Sequence, residues 1–393
     1  MPYWLGFFIL FFLFGCAKSD YVSLANVVLS NDPASAAKVL VRNKGVEYAA
    51  NPEKLAQDIK QLDINIRELF LALTGKASKE WGEENVKVPE TSKSVKYLQN
   101  YQSRVLIDFD EAIVRVETVV TQDVKKHLKE AIVIALLMPE DPRQVNLFES
   151  GSVKLGGTPY LYEEVLDDQN KPIRWEWRAN RYADILIKNS LQTRMIDRNG
   201  SKVKVYSVEI PMVKNHASIR VQKFAPYVRT YAQRYKLSQA LIYAIIRTES
   251  NFNQYAISKS GAVGLMQIMQ KTAGKDAYKE LTGKDWEPSR EYLYDAKNNI
   301  ELGSTYLHIL RSKYLNGIED SLSREYCMIS AYNGGAGTVL RTFHSNKSSA
   351  ISRINSLTSA NVYKILREDV PYEETRNYLY KVLTYKKDFI GVE

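Results

Sequence analysis

Ser238-Gln239-Ala240-Leu241-Ile242-Tyr243-Ala244-Ile245-Ile246-Arg247-Thr248-Glu249-Ser250-Asn251-Phe252-Asn253 decides how the C-terminal half of this chain is read. Ser238 is an N-cap residue type ahead of an apolar run, and the spacing predicts a helix over 238–249. Glu249 follows Ile245 by four residues and Ile242 by seven, so at helical spacing its carboxylate aligns with the apolar stripe. Burial there disfavours the charged form and raises the carboxyl's affinity for its proton. An acid that stays protonated near neutrality is a proton donor for catalysis. On position alone, a glutamate that merely ends a helix at a solvated edge is the commoner reading.

Three further blocks lie downstream: Ser258-Lys259-Ser260-Gly261-Ala262-Val263-Gly264-Leu265-Met266-Gln267-Ile268-Met269, Ala331-Tyr332-Asn333-Gly334-Gly335-Ala336-Gly337 and Pro371-Tyr372-Glu373-Glu374-Thr375-Arg376-Asn377-Tyr378. Gly261 and Gly264 permit close backbone approach that a side chain obstructs. Gln267 can offer amide hydrogen bonds to a groove and Met269 an adaptable apolar contact, although plain packing explains Met269 as well. Tyr332 and Asn333 end an apolar helix before the turn at Gly334-Gly335. The Tyr332 hydroxyl is then a partner for the acid or a ligand, or belongs to a partly buried core tyrosine. Glu373 and Glu374 follow Pro371 at a helix start, where the helix dipole alone accounts for them.

In order and approximate spacing the four blocks resemble the soluble lytic transglycosylase (SLT) family, a lysozyme-like fold acting on peptidoglycan, over about residues 215 to 390. The resemblance implies that Glu249 is the catalytic acid and base. It makes Ser258, Gln267 and Met269 groove positions, Tyr332 and Asn333 the pair near the acid, and Tyr372 with Glu374 the terminal substrate-contacting motif. It also implies a reaction with one carboxylate, where most glycosidases use two. The glutamate protonates the oxygen between MurNAc and GlcNAc, then takes the proton of the muramoyl 6-hydroxyl, which closes on C1 as a 1,6-anhydro end. The nucleophile is tethered to the substrate, so no second carboxylate is needed. A muramidase using water and an inactive glycan-binding or envelope scaffold remain the alternatives. Asp276, Glu280, Asp285 and Glu287 lie in a polar stretch and read as solvated surface.

At the other end, Trp4 to Phe14 is almost wholly apolar and runs into Gly15-Cys16. The run is short for a membrane span and resembles a lipoprotein signal peptide over residues 1–16, with Cys16 as the lipidation site. It departs from the usual signal in having no Lys or Arg before the apolar run and in the bulk of Phe14. A short uncleaved anchor is the other reading, and either one exports the protein. Ala17 after Cys16 resembles the signal for outer-membrane sorting, facing the periplasm. Lipidation leaves Cys327 alone in an apolar helix, a core residue rather than a nucleophile. His127, His216, His308 and His344 show no metal-ligand spacing, and neither a metal nor a cofactor is implied. The formal charge of +9 suits peptidoglycan stem carboxylates and anionic membrane surfaces, while export argues against nucleic acid.

The remaining N-terminal half reads as a tether over 17–50 and an α+β domain over 51–213, followed by a mainly α-helical, lysozyme-like catalytic domain over 214–393. Pro52 opens a helical pattern through Leu55, Ile59, Leu62, Ile66, Leu69 and Phe70, and a polar stretch runs from Gly75 to Ser94. Strands are expected at 104–109, 112–120, 173–177, 182–187, 192–196 and 202–210, the last two joined across Asn199-Gly200, with a helix at 124–138. Alternate spacing places Trp175, Trp177 and Tyr182 in the core rather than against sugars. Helices are expected near 218–235, 238–249, 265–273, 296–314, 321–332, 335–343, 359–367 and 371–388. This layout resembles membrane-bound lytic murein transglycosylases of the C type.

Overall fold

Five strands form an antiparallel sheet in the computed structural model, which describes residues 69–141, 145–258 and 260–391. They are β1 (Lys93–Leu98), β2 (Ser103–Asp108), β3 (Ile113–Thr118), β4 (Gln192–Arg198) and β5 (Ser201–Pro211), in the order β1-β2-β3-β5-β4. The register aligns Val105 with Val116 and Val208, and Ile107 with Val114 and Ile210, so six apolar side chains share one face. All six are buried, each contributing on the order of 1.5–3 kcal/mol. Helix α1 (Val124–Leu137) packs on that face, and α2 (Glu176–Ser190) packs on α1 and β5. The β4–β5 hairpin turns at Asn199 and Gly200, at φ 53° and 86°, the pair of positive values a tight two-residue hairpin requires.

Two strand expectations and the tryptophan placement fail within this module. The strands read at 173–177 and 182–187 are not strands: α2 occupies 176–190, burying Ala179, Tyr182, Ala183, Leu186 and Ile187 at helical spacing. Trp175 and Trp177 therefore leave the core and stand 61% and 60% exposed. In the polar stretch from Gly75 to Ser94, to which no element was assigned, the helix containing Leu69 continues to Trp81 and β1 begins at Lys93. Trp81 is buried, with its indole nitrogen donating to the Tyr101 carbonyl at 2.6 Å.

Beyond the sheet the chain is helical: α3 (His216–Tyr235), α4 (Gln239–Ser250), α5 (Lys275–Thr282), α6 (Arg290–Tyr294), α7 (Ala296–Ile309), α8 (Ser321–Gly334), α9 (Ala336–Phe343), α10 (Lys347–Asn355), α11 (Ser359–Glu368) and α12 (Glu373–Asp388). The segment expected as a helix at 265–273 is instead a two-stranded hairpin, β6 (Ala262–Val263) with β7 (Ile268–Met269), leading into a π-helical turn at Gln270–Gly274. Positive φ at Gly264 and Gln267 turns the chain there. Helix α10 was not anticipated; Asn346 caps it by accepting from the Ser349 N–H at 3.1 Å.

The described residues fall into two compact units, one drawn from Arg67–Tyr306 with Val382–Glu393 and the other from Leu307–Lys381. In the second, α8 packs against α9 and α11, and α9 against α10. Cys327 is buried on α8, where burial pushes its thiol pKa up. Among the described residues no helix is long and apolar enough to cross a membrane. Cys16, the signal and tether calls and the apolar pattern from Leu55 to Ile66 lie outside these residues.

Candidate active site

In the first unit the site is built on the C-terminal turn of α4. Residues 240–246 of this helix are all buried, which fixes its axis, and Glu249 emerges half-buried just past that run. Ser238 occupies the N-cap with extended backbone, but its side chain makes no capping hydrogen bond. Helix α4 ends at Asn251, in the left-handed region at φ 47°, whose N–H closes the last turn on the Arg247 carbonyl at 3.0 Å. Ser250 Oγ donates to the Leu265 carbonyl at 2.8 Å, tying the residue beside Glu249 to the glycine block.

That block is held by a residue the sequence reading passed over. Asn299 on α7 is fully buried; its Nδ2 donates to the carbonyls of Val263 and Leu293 at 2.9 and 2.7 Å, and its Oδ1 accepts from the Met266 N–H at 2.8 Å. A Cβ on Gly264 would sit 2.2 Å from that same amide, and φ +76° excludes one on backbone grounds as well. Asn299 carried no signal, standing among Lys297, Asn298 and Glu301 at the polar start of a helix. Gln267 is 2% exposed, with Nε2 donating to the Gly264 carbonyl at 2.9 Å and Oε1 without a hydrogen-bond partner among the described residues. A buried acceptor in that state is ready for a donor from outside the protein. Met269 is buried in β7 opposite Ala262. The half-buried Ser258 hydroxyl accepts from the Ala262 N–H at 3.0 Å and lies 2.9 Å from Ser260 Oγ, bracing the turn.

The second unit brings together residues that were named separately. Asn333, at the end of α8, donates through Nδ2 to Glu374 Oε1 at 3.3 Å and accepts at Oδ1 from Thr375 Oγ1 at 2.7 Å. The close approach depends on Gly334, where a Cβ would lie 2.6 Å from the Thr375 side chain. Tyr332 is fully buried, Tyr372 half-buried and Glu374 exposed. Thr375 was quoted in the terminal block but given no role; its burial and its bond to Asn333 make it the pin of this juncture.

Among the described residues no group of three or more His, Cys, Asp or Glu side chains is placed to hold a metal ion. What the first unit offers chemically is a carboxyl at a rigid helix end, next to a glycine-shaped hairpin carrying one unsatisfied amide oxygen.

Comparison with known proteins gives two family matches: the membrane-bound lytic murein transglycosylase C N-terminal domain over residues 55–223, and the transglycosylase SLT domain over residues 226–355. Proteins described as membrane-bound lytic murein transglycosylase C, from Yersinia pestis (strain Pestoides F) and Yersinia pseudotuberculosis serotype O:1b (strain IP 31758), are 41% identical over 347 residues, covering 88% of this chain and 95% of theirs. Among solved structures, the chain is similar to an inactive variant of the lytic transglycosylase Slt from Pseudomonas aeruginosa, with 28% identity, TM-score 0.32, and coverage of 41% of this chain and 23% of that one. The 70 kDa soluble lytic transglycosylase of Escherichia coli matches with 26% identity, TM-score 0.33, and coverage of 42% and 24%.

Proposed function

Because this chain belongs to the membrane-bound lytic murein transglycosylase C family and is a lytic transglycosylase acting on peptidoglycan, we propose that Glu249 is its acid and then its base. In this reading the carboxyl gives its proton to the bridging oxygen as the bond from muramoyl C1 breaks, and GlcNAc leaves with a free hydroxyl. The muramoyl 6-hydroxyl attacks C1 and returns its proton to the carboxylate, forming the 1,6-anhydro ring. No water is consumed, and the acid is restored for the next turnover.

The observation carrying this reading is the placement of Glu249 at the end of a buried helix, with its neighbour Ser250 bonded to the Gly264-to-Gln267 block. Ser258, Gln267 and Met269 in the first unit and Tyr332, Asn333, Tyr372 and Glu374 in the second are the substrate-binding residues of the proposal. Gln267 has the most direct support, since its buried Oε1 has no hydrogen-bond partner among the described residues. The same reading assigns residues 51–213 to an N-terminal α+β domain and 214–393 to the catalytic domain. Residues 17–50 are then a tether from a lipidated Cys16 in the outer membrane, with the enzyme facing the periplasm.

Mass spectrometry of digested peptidoglycan tests the chemistry: anhydromuramoyl ends are expected, whereas reducing muramoyl ends reject the anhydro product and unchanged polymer rejects cleavage itself. Glu249→Gln is expected to abolish cleavage while leaving folding and glycan binding intact, and full activity in that variant rejects the assigned acid. The intact mass of the mature N-terminus, with or without acyl chains on Cys16, decides the anchor.

A further inference from the structure

Just past Glu249 the backbone turns left-handed at two consecutive residues that carry a Cβ, Asn251 at φ 47° and Phe252 at φ 61°. That conformation is disfavoured outside glycine and persists only where the surroundings over-determine it. Here the surroundings come largely from the sheet module. Asn251 Nδ2 donates to the Phe109 carbonyl at 3.1 Å and to Asp110 Oδ1 at 3.0 Å. The Phe252 carbonyl accepts from Arg220 Nη1 at 2.9 Å, and the arginine is itself bonded to Glu164 at 2.5 Å. Gln254 Nε2 and the Tyr255 hydroxyl both donate to the Glu140 carbonyl, at 2.7 and 3.1 Å.

Asn253 is the centre of this arrangement and is 0% exposed. Its Nδ2 donates to the Thr91 carbonyl at 3.1 Å. Its Oδ1 accepts from Ser94 Oγ, from the Tyr160 hydroxyl and from the Tyr255 N–H, each at 3.1 Å. Thr91, Ser94 and Tyr160 belong to the sheet module, while Tyr255 belongs to the acid's own loop. One amide therefore joins the strained turn after Glu249 to three points of the module. On the other side of the same turn, Ser250 is bonded to Leu265, so the end of α4 is held from two directions.

We propose that Asn253 is a positioning residue for Glu249, and that the sheet module, through Thr91, Ser94 and Tyr160, sets the geometry in which the acid is presented. This rests on Glu249 being the acid. Ser94 and Tyr160 are buried and act on the reaction through Asn253. The requirement is physical: a proton donor must meet its acceptor within hydrogen-bond reach, and a misplacement of about 1 Å costs on the order of 10²-fold in rate. The strained turn relaxes once its amide clamp is removed, carrying the preceding helical turn with it.

The test is steady-state kinetics of the full-length chain on purified peptidoglycan strands, with Tm measured alongside. Asn253→Ala is expected to lower kcat about 10²-fold with KM unchanged. Ser94→Ala and Tyr160→Phe, which remove one donor each, are expected to lower it roughly tenfold apiece. In the Asn253→Ala background they are expected to add nothing, because their shared acceptor is gone. Ser94→Thr keeps the hydroxyl and is expected to keep kcat. Val208→Ala, a cavity in the apolar face of the same sheet, serves as the control that lowers Tm without lowering kcat. Unchanged kcat in Asn253→Ala overturns the proposal, as does an equal loss in Val208→Ala at matched Tm. If Asn253→Ala does not fold, the Ser94 and Tyr160 variants carry the same test, and wild-type kcat in both overturns it. An active Glu249→Gln means the acid is misassigned, whereas an inactive Glu249→Gln with fully active Asn253→Ala removes the positioning role alone.

Discussion

Two buried arginine–glutamate pairs in the first unit are built alike and do different things. Arg104 Nε meets Glu117 at 2.7 Å and its guanidinium lies 3.7 Å from the ring centre of Trp81. Arg220 Nε meets Glu164 at 2.5 Å and its guanidinium lies 3.7 Å from the ring centre of Phe109. In each pair both side chains are almost completely buried. Arg104 and Glu117 stand opposite each other on β2 and β3, and the guanidinium's other partners, the Trp81 ring and the Asn85 carbonyl at 2.7 Å, also belong to the sheet module rather than to the turn beside Glu249. Arg220 lies on α3 and Glu164 in the loop before α2, and the third partner of the guanidinium is the Phe252 carbonyl, three residues past the acid. One pair stabilises a module, and the other fastens that module to the strained turn beside Glu249. The same chemistry acquires a functional meaning from the segment it reaches.

The largest effect that sharpens this contrast is expected from Arg220→Met. It leaves Glu164 with Lys223 as its one ion partner among the described residues and frees the Phe252 carbonyl, so about 3–5 kcal/mol of stability and most of kcat are lost together. Denaturant unfolding beside kinetics on peptidoglycan reads both quantities. Next in size is Arg104→Met, which is expected to cost a similar ~3–5 kcal/mol in unfolding while the folded fraction keeps wild-type kcat. A parallel loss of kcat there would erase the distinction between the pairs.

A smaller effect comes from Lys96, a buried cation bonded to two carbonyls, of Asn146 and Glu149, with no carboxylate salt bridge among the described contacts. Burial lowers its pKa to about 8. The folded state therefore binds fewer protons than the unfolded chain between about pH 8 and 10.4. Stability rises with pH across that window, by up to about 3 kcal/mol for the wild type relative to Lys96→Met. Identical pH slopes for the two proteins would contradict this.

The smallest is the acid limb of Glu117. Burial pushes its carboxyl up, but the charges and hydrogen bonds of Arg104 and Arg194 outweigh that and hold it below the usual range. A depressed folded value means its stabilisation is present above about pH 4.3 and is lost as pH falls through the lower folded value. Glu117→Gln is expected to flatten that part of the pH–stability curve, and an unaltered curve would count against the pair's charge state.

Where local pattern was clean, expectation and structure agree. The apolar alternation of β2 and β3, the hairpin at Asn199-Gly200 and the apolar run of α4 were all legible. The failures have identifiable causes. In α2, two tryptophans at alternate positions imitated a strand, although Ala179, Tyr182, Ala183, Leu186 and Ile187 carry the helical period. β1 was not anticipated, because its buried Ser94 and Lys96 are polar and their partners, Asn253 and the carbonyls of Asn146 and Glu149, are remote in sequence. In 265–273, positive φ at Gln267 turned an apparent helix into a hairpin, and nothing in a glutamine announces that conformation.

For the candidate site, local pattern placed Glu249 at the end of an apolar helix, and the resemblance carried by the order and spacing of the four blocks singled it out together with the glycine block and the two later motifs. The bracing was invisible at that level: Asn299 behind Gly264, Thr375 behind Asn333, and above all Asn253, whose three partners in the sheet module lie 93 to 162 residues away. Helical and strand periodicity report which side of an element is dry, since burial of apolar area is non-directional and repeats with the backbone. A hydrogen bond is directional and needs its partner within about 3 Å, so its formation depends on how distant segments are folded together.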